Sequence, residues 1–380
     1  MDSQKSKHYV LGFERGRSGA FEHAFGLAQN LHKRNYNVKY YANWWDAPAF
    51  DVDLYTERLT PLDTDLLNNL EGILYLQTHT WEYNGFLDLI KGRDSKIIYG
   101  LHAIIPYYHM REKDKISFLK GELPASKFKE IIENRLSKRE KAQLSAIGKS
   151  DHILTISKNH KKVLKILGVE KPIHVFENVS DFFDLSEETL EKSRESALNF
   201  RKELDVENII LYCGKIYEKK GSFGLFDSFR MIRDKYPSSK LVLLGSGESV
   251  KEKLLLNGLN EEDLPHMTFI PWINKQKGEV NEFLRYFLAS DVLVQPMITM
   301  ELYSKSVIDA MALDIPTITC ESPYTIGSSE SADAIYNSFV QIKENPEEVQ
   351  KIVMKAKEKV KLENTWDSYI SRLEKIILEE

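Results

Sequence analysis

The chain has 380 residues and a formal net charge of −5, long enough for two domains with ample cores and without the basic excess that general nucleic-acid binding requires. No run approaches the roughly 18 apolar residues of a membrane span, and the polar start Met1-Asp-Ser-Gln-Lys-Ser-Lys7 has no apolar signal core. The two cysteines, Cys213 and Cys320, lie in apolar strand-like runs, which reads as two buried thiols in a reducing compartment and places the chain in the cytoplasm.

His8-Tyr-Val-Leu-Gly-Phe13 predicts a first buried strand and Glu14-Arg-Gly-Arg-Ser-Gly19 a glycine-containing loop. Ala20 to Lys33 predicts a helix with Phe21, Ala24, Phe25, Ala28 and Leu31 on one face, and Asn37-Val-Lys-Tyr-Tyr-Ala42 the next strand. Strand, glycine loop, helix, strand is a Rossmann-type unit. The loop is not GxGxxG, so a dinucleotide fingerprint is missing and an oxidoreductase reading loses its support. The loop is either a tight turn for close packing or a place where the amides of Gly16 to Gly19 face a ligand phosphate or acceptor. Strands are predicted at 72–77 and 96–99, each followed closely by a histidine, His79 and His102. One such histidine is ordinarily just solvated. Two past the ends of parallel strands share one edge, and His102 is the better functional candidate.

Residues 111–150 carry eleven basic side chains against six acidic, with apolar residues interleaved. The plain reading is an amphipathic helix with a solvated charged face. The sharper one is peripheral contact with anionic lipid at the inner membrane face, bringing the protein to a lipid-linked acceptor. Strands follow at 151–156 and 173–176. From Asp181 to about Arg201 the chain is polar and acidic without strand signal, which places a domain boundary there: 1–185 as a first domain, 200–355 as a second, and 356–380 as a terminal helix.

The alternation restarts in the second half. Asn208-Ile-Ile-Leu-Tyr-Cys213 predicts a strand, Gly214-Lys215-Ile-Tyr-Glu-Lys-Lys220-Gly221 a basic loop, and Ser222 to Lys235 a helix. Strands at 240–244 and 267–270, a helix at 280–288 and a strand within Ala289-Ser-Asp-Val-Leu-Val-Gln-Pro296 come next. Then comes Glu301-Leu-Tyr-Ser-Lys-Ser-Val-Ile-Asp309-Ala-Met-Ala312, with Val307, Ile308, Met311 and Ala312 at helical spacing, so a helix starts near Ser304 before the strand 316–319. The tail from Pro346 is helical with a break near Asn364-Thr365. The fold class is α/β, two Rossmann-like domains.

The second-half loops carry the chemistry. A helix start offers unpaired N–H groups and a positive dipole end, suited to phosphate. Lys215 and Lys220, on one strand-to-helix loop, can neutralise a diphosphate, each charge-assisted contact supplying roughly 1.5–3 kcal/mol. Gly214 lets the backbone approach closely. Ser304, Lys305 and Ser306 supply the amides of the helix start, and Glu301 and Asp309 are placed to accept hydrogen bonds from sugar hydroxyls. Either lysine by itself could be merely solvated, and Asp309 merely a helix-surface acid. Trp272, after the strand 267–270, either stacks on a base or packs as a loop tryptophan.

Taken together these residues resemble the retaining, nucleotide-sugar-dependent glycosyltransferases of the glycogen-synthase-like superfamily, in its large family four. The similarity covers nearly the whole chain and implies the GT-B fold, two Rossmann-like domains facing across a crevice. Gly214-Lys215…Lys220-Gly221 resembles the family's Gly-Arg…Lys-Gly loop that holds the donor diphosphate, with lysine replacing the usual arginine. Glu301…Asp309 resembles Glu-x7-Glu, which implies that Glu301 contacts the donor sugar and Asp309 the ribose. Here the second acid is one methylene shorter, and Ser304 stands at a usual glycine. Ser150-Asp-His-Ile-Leu-Thr-Ile-Ser157, Asn178-Val-Ser-Asp181 and Asp309-Ala-Met-Ala-Leu-Asp-Ile-Pro316 match flanking motifs. Thr365-Trp366-Asp367 resembles the start of a last helix that crosses back onto the first domain. His102 falls where the family has a histidine near the reacting carbon.

The resemblance implies transfer of a hexose from a nucleotide diphosphate sugar to an acceptor hydroxyl, with retention, in glycan or glycolipid assembly. His102, Lys215, Lys220 and Glu301 would be catalytic. Gly16, Gly19, Gly214, Ser304, Lys305, Ser306, Asp309 and Trp272 would bind the donor. No metal and no further cofactor is expected, the lysines standing in for a cation, and the acceptor is a glycan, a lipid-linked glycan or a protein. The departures at Lys215, Ser304 and Asp309 sustain an alternative, a non-catalytic nucleotide-sugar-binding subunit that supports a partner transferase. Another nucleotide-sugar reaction, such as epimerisation, is a further alternative.

Overall fold

A computed structural model describes residues 7–12, 19–42, 56–57, 72–77, 95–101, 114, 117–118, 120–134, 136–183, 185–214, 216, 222–245, 250–256, 259–273, 280–296, 303–320, 322–329 and 331–378. The chain divides into two compact units, Met1–Asn178 with Tyr369–Glu380, and Val179–Ser368.

The first unit is built on β1 (Lys7–Gly12), β2 (Asn37–Ala42), β3 (Thr56–Glu57), β4 (Gly72–Gln77), β5 (Ser95–Leu101), β6 (His152–Thr155) and β7 (Ile173–Val175). They form a parallel sheet in the order β3-β2-β1-β4-β5-β6-β7. Its interior strands are apolar in succession, as in Leu74, Tyr75 and Leu76, because a parallel sheet is covered on both faces. Helix α1 (Gly19–Lys33) buries Ala24, Phe25, Leu27, Ala28 and Leu31, the face expected from its period. The described part of the basic stretch includes two separate helices, α2 (Ala125–Glu133) and α3 (Lys138–Lys149), rather than one continuous helix. On α2 Lys127 pairs with Glu130 and Lys129 with Glu133, so these charges are answered within the helix. Helix α4 (Lys158–Ile166) follows β6, capped by the Ser157 hydroxyl, which accepts from the His160 N–H.

Burial keeps one paired histidine and tyrosine of this unit neutral. His8, fully buried, has its pKa lowered to about 4 by desolvation. Burial pushes Tyr75 well up, so its hydroxyl keeps its proton, and it shares a hydrogen bond of 3.1 Å with His8 Nδ1.

The second unit has β8 (Asn208–Cys213), β9 (Ser239–Leu244), β10 (Met267–Ile270), β11 (Val292–Val294) and β12 (Thr317–Ile318), parallel in the order β10-β9-β8-β11-β12. Alternate residues feed two separate cores. Ile209, Leu211, Val242, Leu244 and Leu293 face one side, and Ile210, Tyr212, Leu241, Leu243, Val292 and Val294 the other. The first face is covered by α5 (Glu187–Leu204), with α8 (Val280–Leu288) and α9 (Lys305–Ala312). The second is covered by α6 (Ser222–Lys235) and α10 (Ala332–Glu344). A short α7 (Lys251–Leu256) precedes β10, and α11 (Pro346–Glu363) contributes to both cores.

Two features depart from the sequence reading. The polar stretch placed at the domain boundary is largely α5, an eighteen-residue helix that buries Ser193, Ala197 and Phe200. Of these only Phe200 is large and apolar, and the small Ser193 and Ala197 hide the apolar period. Residues 179–183 pack with the second unit rather than the first, because Phe182 inserts beside Phe283 and Phe287. The last helix, α12 (Trp366–Leu378), passes from the second unit into the first. There Tyr369 meets His23 and Phe176 edge-on, Arg372 binds the Val175 carbonyl, and Glu374 holds Arg34 and Tyr36.

Candidate functional site

In the second unit the strand order reverses between β8 and β11, which pair directly through Ile210–Val292 and Leu211–Leu293. At such a point the connections leave the sheet toward opposite faces, and a crevice opens at the carboxyl ends of the two strands. Gly214 follows β8, and Gln295 follows β11 on the way to the Ser304 helix start. Gly214 has φ 138, a backbone that L side chains rarely adopt, and its N–H donates to the Leu244 carbonyl at 2.8 Å. A Cβ on neighbouring Gly245 would sit 3.5 Å from the Gly214 carbonyl carbon and oxygen. The two glycines therefore hold the turns after β8 and β9 close together.

Helix α9 begins in a way the other serine-started helices do not. Ser157, Ser186 and Ser331 each accept a hydrogen bond from the amide three residues on. Ser304 makes no such cap; its hydroxyl meets the Ser306 hydroxyl at 2.9 Å, and Ser306 donates to Gln295 Oε1 at 3.3 Å. The Ser304 carbonyl already accepts from Val307 and Ile308, which closes the first turn. The amides of Lys305 and Ser306 have no partner inside the helix. They carry the positive end of the dipole, and the nearby hydroxyls add polarity. The arrangement suits an anion with hydroxyl-bearing neighbours.

The side chains of α9 farther along are turned elsewhere. Asp309 is 1% exposed and accepts from the Ser180 hydroxyl at 2.9 Å. Lys305 Nζ lies 2.7 Å from Asp181 Oδ2 and 2.9 Å from the Val179 carbonyl. Trp366 Nε1 donates to the other Asp181 oxygen at 2.9 Å, and the Ser180 N–H donates to the Asn364 carbonyl at 2.9 Å. Lys359, from α11, sits 5.2 Å from the centre of the Tyr303 ring, just ahead of the helix. Lys305 can thus offer a ligand its amide, while its ammonium is engaged internally.

Gly214 follows β8, Ser304, Lys305 and Ser306 open α9 after the adjacent β11, and Asp309 lies about a turn farther along α9 against Ser180. Trp272 follows β10, two strands away from β8, and is half-buried. In the first unit Gly19 opens α1 after the β1 loop. Gly16, His102, Lys215, Lys220 and Glu301 lie outside the described residues. The sequence reading assigned no role to Ser180, Asp181, Gln295 or Trp366. All four stood inside quoted motifs, yet nothing local shows that Ser180 and Trp366 meet residues 129 and 185 positions away. Among the described residues no three His, Cys, Asp or Glu side chains are grouped to hold a metal ion, and no helix is long and apolar enough to cross a membrane.

Residues 194–372 match the family described as glycosyl transferases group 1. An uncharacterised glycosyltransferase of Methanocaldococcus jannaschii is 26% identical over 179 residues, 45% of this chain and 40% of that protein's length. Sucrose-phosphate synthase of Thermosynechococcus elongatus superposes with a TM-score of 0.69 at 15% identity, covering 98% of each chain. Anabaena HepE, solved with UDP-glucose, gives 0.69 at 14% identity over 99% of this chain and 100% of its own. The catalytic domain of starch synthase IV from Arabidopsis thaliana, bound to ADP and acarbose, gives 0.63 at 11% over 99% of each. These structures share the GT-B fold expected from the sequence.

Proposed function

We propose that this GT-B protein, whose residues 194–372 match glycosyl transferases group 1, moves a hexose from a nucleotide diphosphate sugar to an acceptor hydroxyl with retention at the anomeric carbon. The observation that carries the reading is the uncapped start of α9 beside Gly214, where the sheet order reverses. An anion-binding helix end and a close-approach glycine meet where a nucleotide diphosphate would be held.

In this reading the amides of Lys305 and Ser306 take the donor phosphates, and Lys215 and Lys220 answer the charge that develops on the departing diphosphate. Glu301 contacts the sugar hydroxyls, and His102 stands near the reacting carbon. The leaving phosphate takes the acceptor proton on the same face, so the protein needs no separate base. The buried Asp309 makes a direct ribose contact the least supported of the expected roles. Glycan, lipid-linked glycan and protein acceptors all fit, within glycan or glycolipid assembly in the cytoplasm. Lipid docking through 111–150 gains nothing from α2, whose lysines pair with its own glutamates.

A thermal-shift panel of UDP-, GDP- and ADP-sugars, with and without Mg²⁺ and chelator, tests the reading. One donor should stabilise the protein selectively and independently of chelator, and Lys220→Ala should weaken that donor's binding by roughly tenfold or more, the loss of one charge-assisted contact. Stabilisation that needs Mg²⁺ would overturn the metal-independent part. Donor binding without single-turnover transfer or free-nucleotide release would favour the non-catalytic subunit, which the internal engagement of Lys305 and Asp309 also fits.

A further inference from the structure

The Lys305 ammonium and the Asp309 carboxylate are four residues apart, on one face of α9, and both reach the segment Val179–Asp181. That segment is where the chain enters the second unit. The same segment is tied to the stretch by which the chain leaves it, through Trp366 on Asp181 and the Asn364 carbonyl on the Ser180 amide. Three stretches distant in sequence therefore close one network on the side chains of the candidate donor helix.

The energetics of this network point to geometry rather than stability. Asp181 is 41% exposed at its side chain and Lys305 17%. A pair this open contributes little to folding. Yet Lys305 is also the first residue of α9, so whatever holds its side chain holds the amide it presents. Its ammonium has two anchors of different kinds, a carboxylate and a main-chain carbonyl, which restrict it more than one would. The carboxylate is itself oriented by the indole N–H on its other oxygen. Displacing a binding group by an ångström is costly where geometry carries recognition.

We propose that Lys305 is a positioning residue for the donor diphosphate: its ammonium, locked on Asp181 and the Val179 carbonyl with Trp366 behind, sets where the first-turn amides of α9 point. The inference rests on the donor reading above. It adds that a lysine whose charge never touches the ligand controls donor affinity, and that nucleotide binding at α9 is felt at both chain passages, 179–182 and 364–366.

The test measures binding of UDP, ADP and GDP to the full chain by calorimetry, with amide hydrogen exchange over 179–182, 303–309 and 364–366 with and without the nucleotide that binds. Lys305→Met should weaken binding roughly tenfold and abolish the nucleotide-dependent protection of 179–182, while Lys305→Arg, which still reaches a carboxylate, should stay within about threefold. Asp181→Asn keeps an acceptor for Trp366 and should weaken binding by about threefold or more. Combined with Lys305→Met it should add nothing, as expected of two residues acting through one contact. Should Lys305→Met fail to fold, Asp181→Asn and Lys305→Arg carry the test. If the wild type binds a nucleoside diphosphate and Lys305→Met and Asp181→Asn bind it within twofold with unchanged protection, Lys305 has no positioning role and the donor reading stands. If none of the three nucleotides binds the wild type, the donor reading fails and this inference with it.

Discussion

The two units bury polar side chains in opposite ways. In the first, a neutral pair is buried: His8 is held unprotonated, and the tyrosines beside it keep their protons. Tyr36, half-buried against Glu374, is pushed up to about 12 by desolvation and that carboxylate. In the second unit a buried carboxylate is charged and matched. Asp263 is 4% exposed and receives Arg230 Nε at 2.8 Å, with Arg233 3.5 Å from its other oxygen. Arg201 joins Asp291 to the Ala289 carbonyl. A neutral interior is undone by protons, whereas a charged one is undone by removing a partner.

The largest effect should come from breaking the charged interior. Asp263→Ala leaves two arginines facing an empty place and should cost about 3 kcal/mol, read as a lower urea midpoint at unchanged slope. An unchanged midpoint would mean that the arginines find water and that the contrast is superficial. The neutral interior should instead give way to acid. Because the folded His8 pKa is lowered to about 4, the unfolded chain takes up its proton first, from about 6.5 downward. Stability from this group is present above about 6.5 and is lost as pH falls through about 4. Wild type should therefore lose more stability than His8→Asn between pH 7 and 4.5, by about 2 kcal/mol. Parallel curves would show that His8 is solvated on acidification. The smallest effect sharpens the comparison from outside. Lys192 and Glu188 pair at 2.6 Å on the exposed face of α5, and Lys192→Ala should change stability by less than about 0.5 kcal/mol. A cost near that of Asp263→Ala would make burial irrelevant to what a charge pair contributes.

The sheets were legible because both faces of each are covered. Runs such as Ile209 to Tyr212 are apolar throughout and only a few residues long, and length with β-branched content separates them from helices. Helices α1 and α9 were legible from their period, and α9 begins where its apolar spacing begins. Helix α5 was not, since Ser193 and Ala197 bury too little apolar surface to mark a face amid its charges. Its Ser186 cap was the available signal, but a single serine in a polar stretch carries little information. At the site, the sequence singled out the residues of α9 and placed their helix correctly, but not the direction of their side chains.

By itself, then, the sequence determined the strands of the two parallel sheets other than β3, and it pointed the Gly214 loop and the start of α9 toward the same carboxyl ends. These follow from local periodicity and from the rule that ligand loops gather at carboxyl ends of parallel strands. Only the tertiary structure decided that Asp309 and the Lys305 ammonium turn to the Val179–Asp181 segment. It also decided that Phe182 seats that segment in the second unit, and that Trp366 closes the network. The physical reason is range. A helix period says which residues share a face, whereas the partner of a charged or hydroxyl side chain is set by chain segments a hundred or more residues away, brought there by packing of the whole unit.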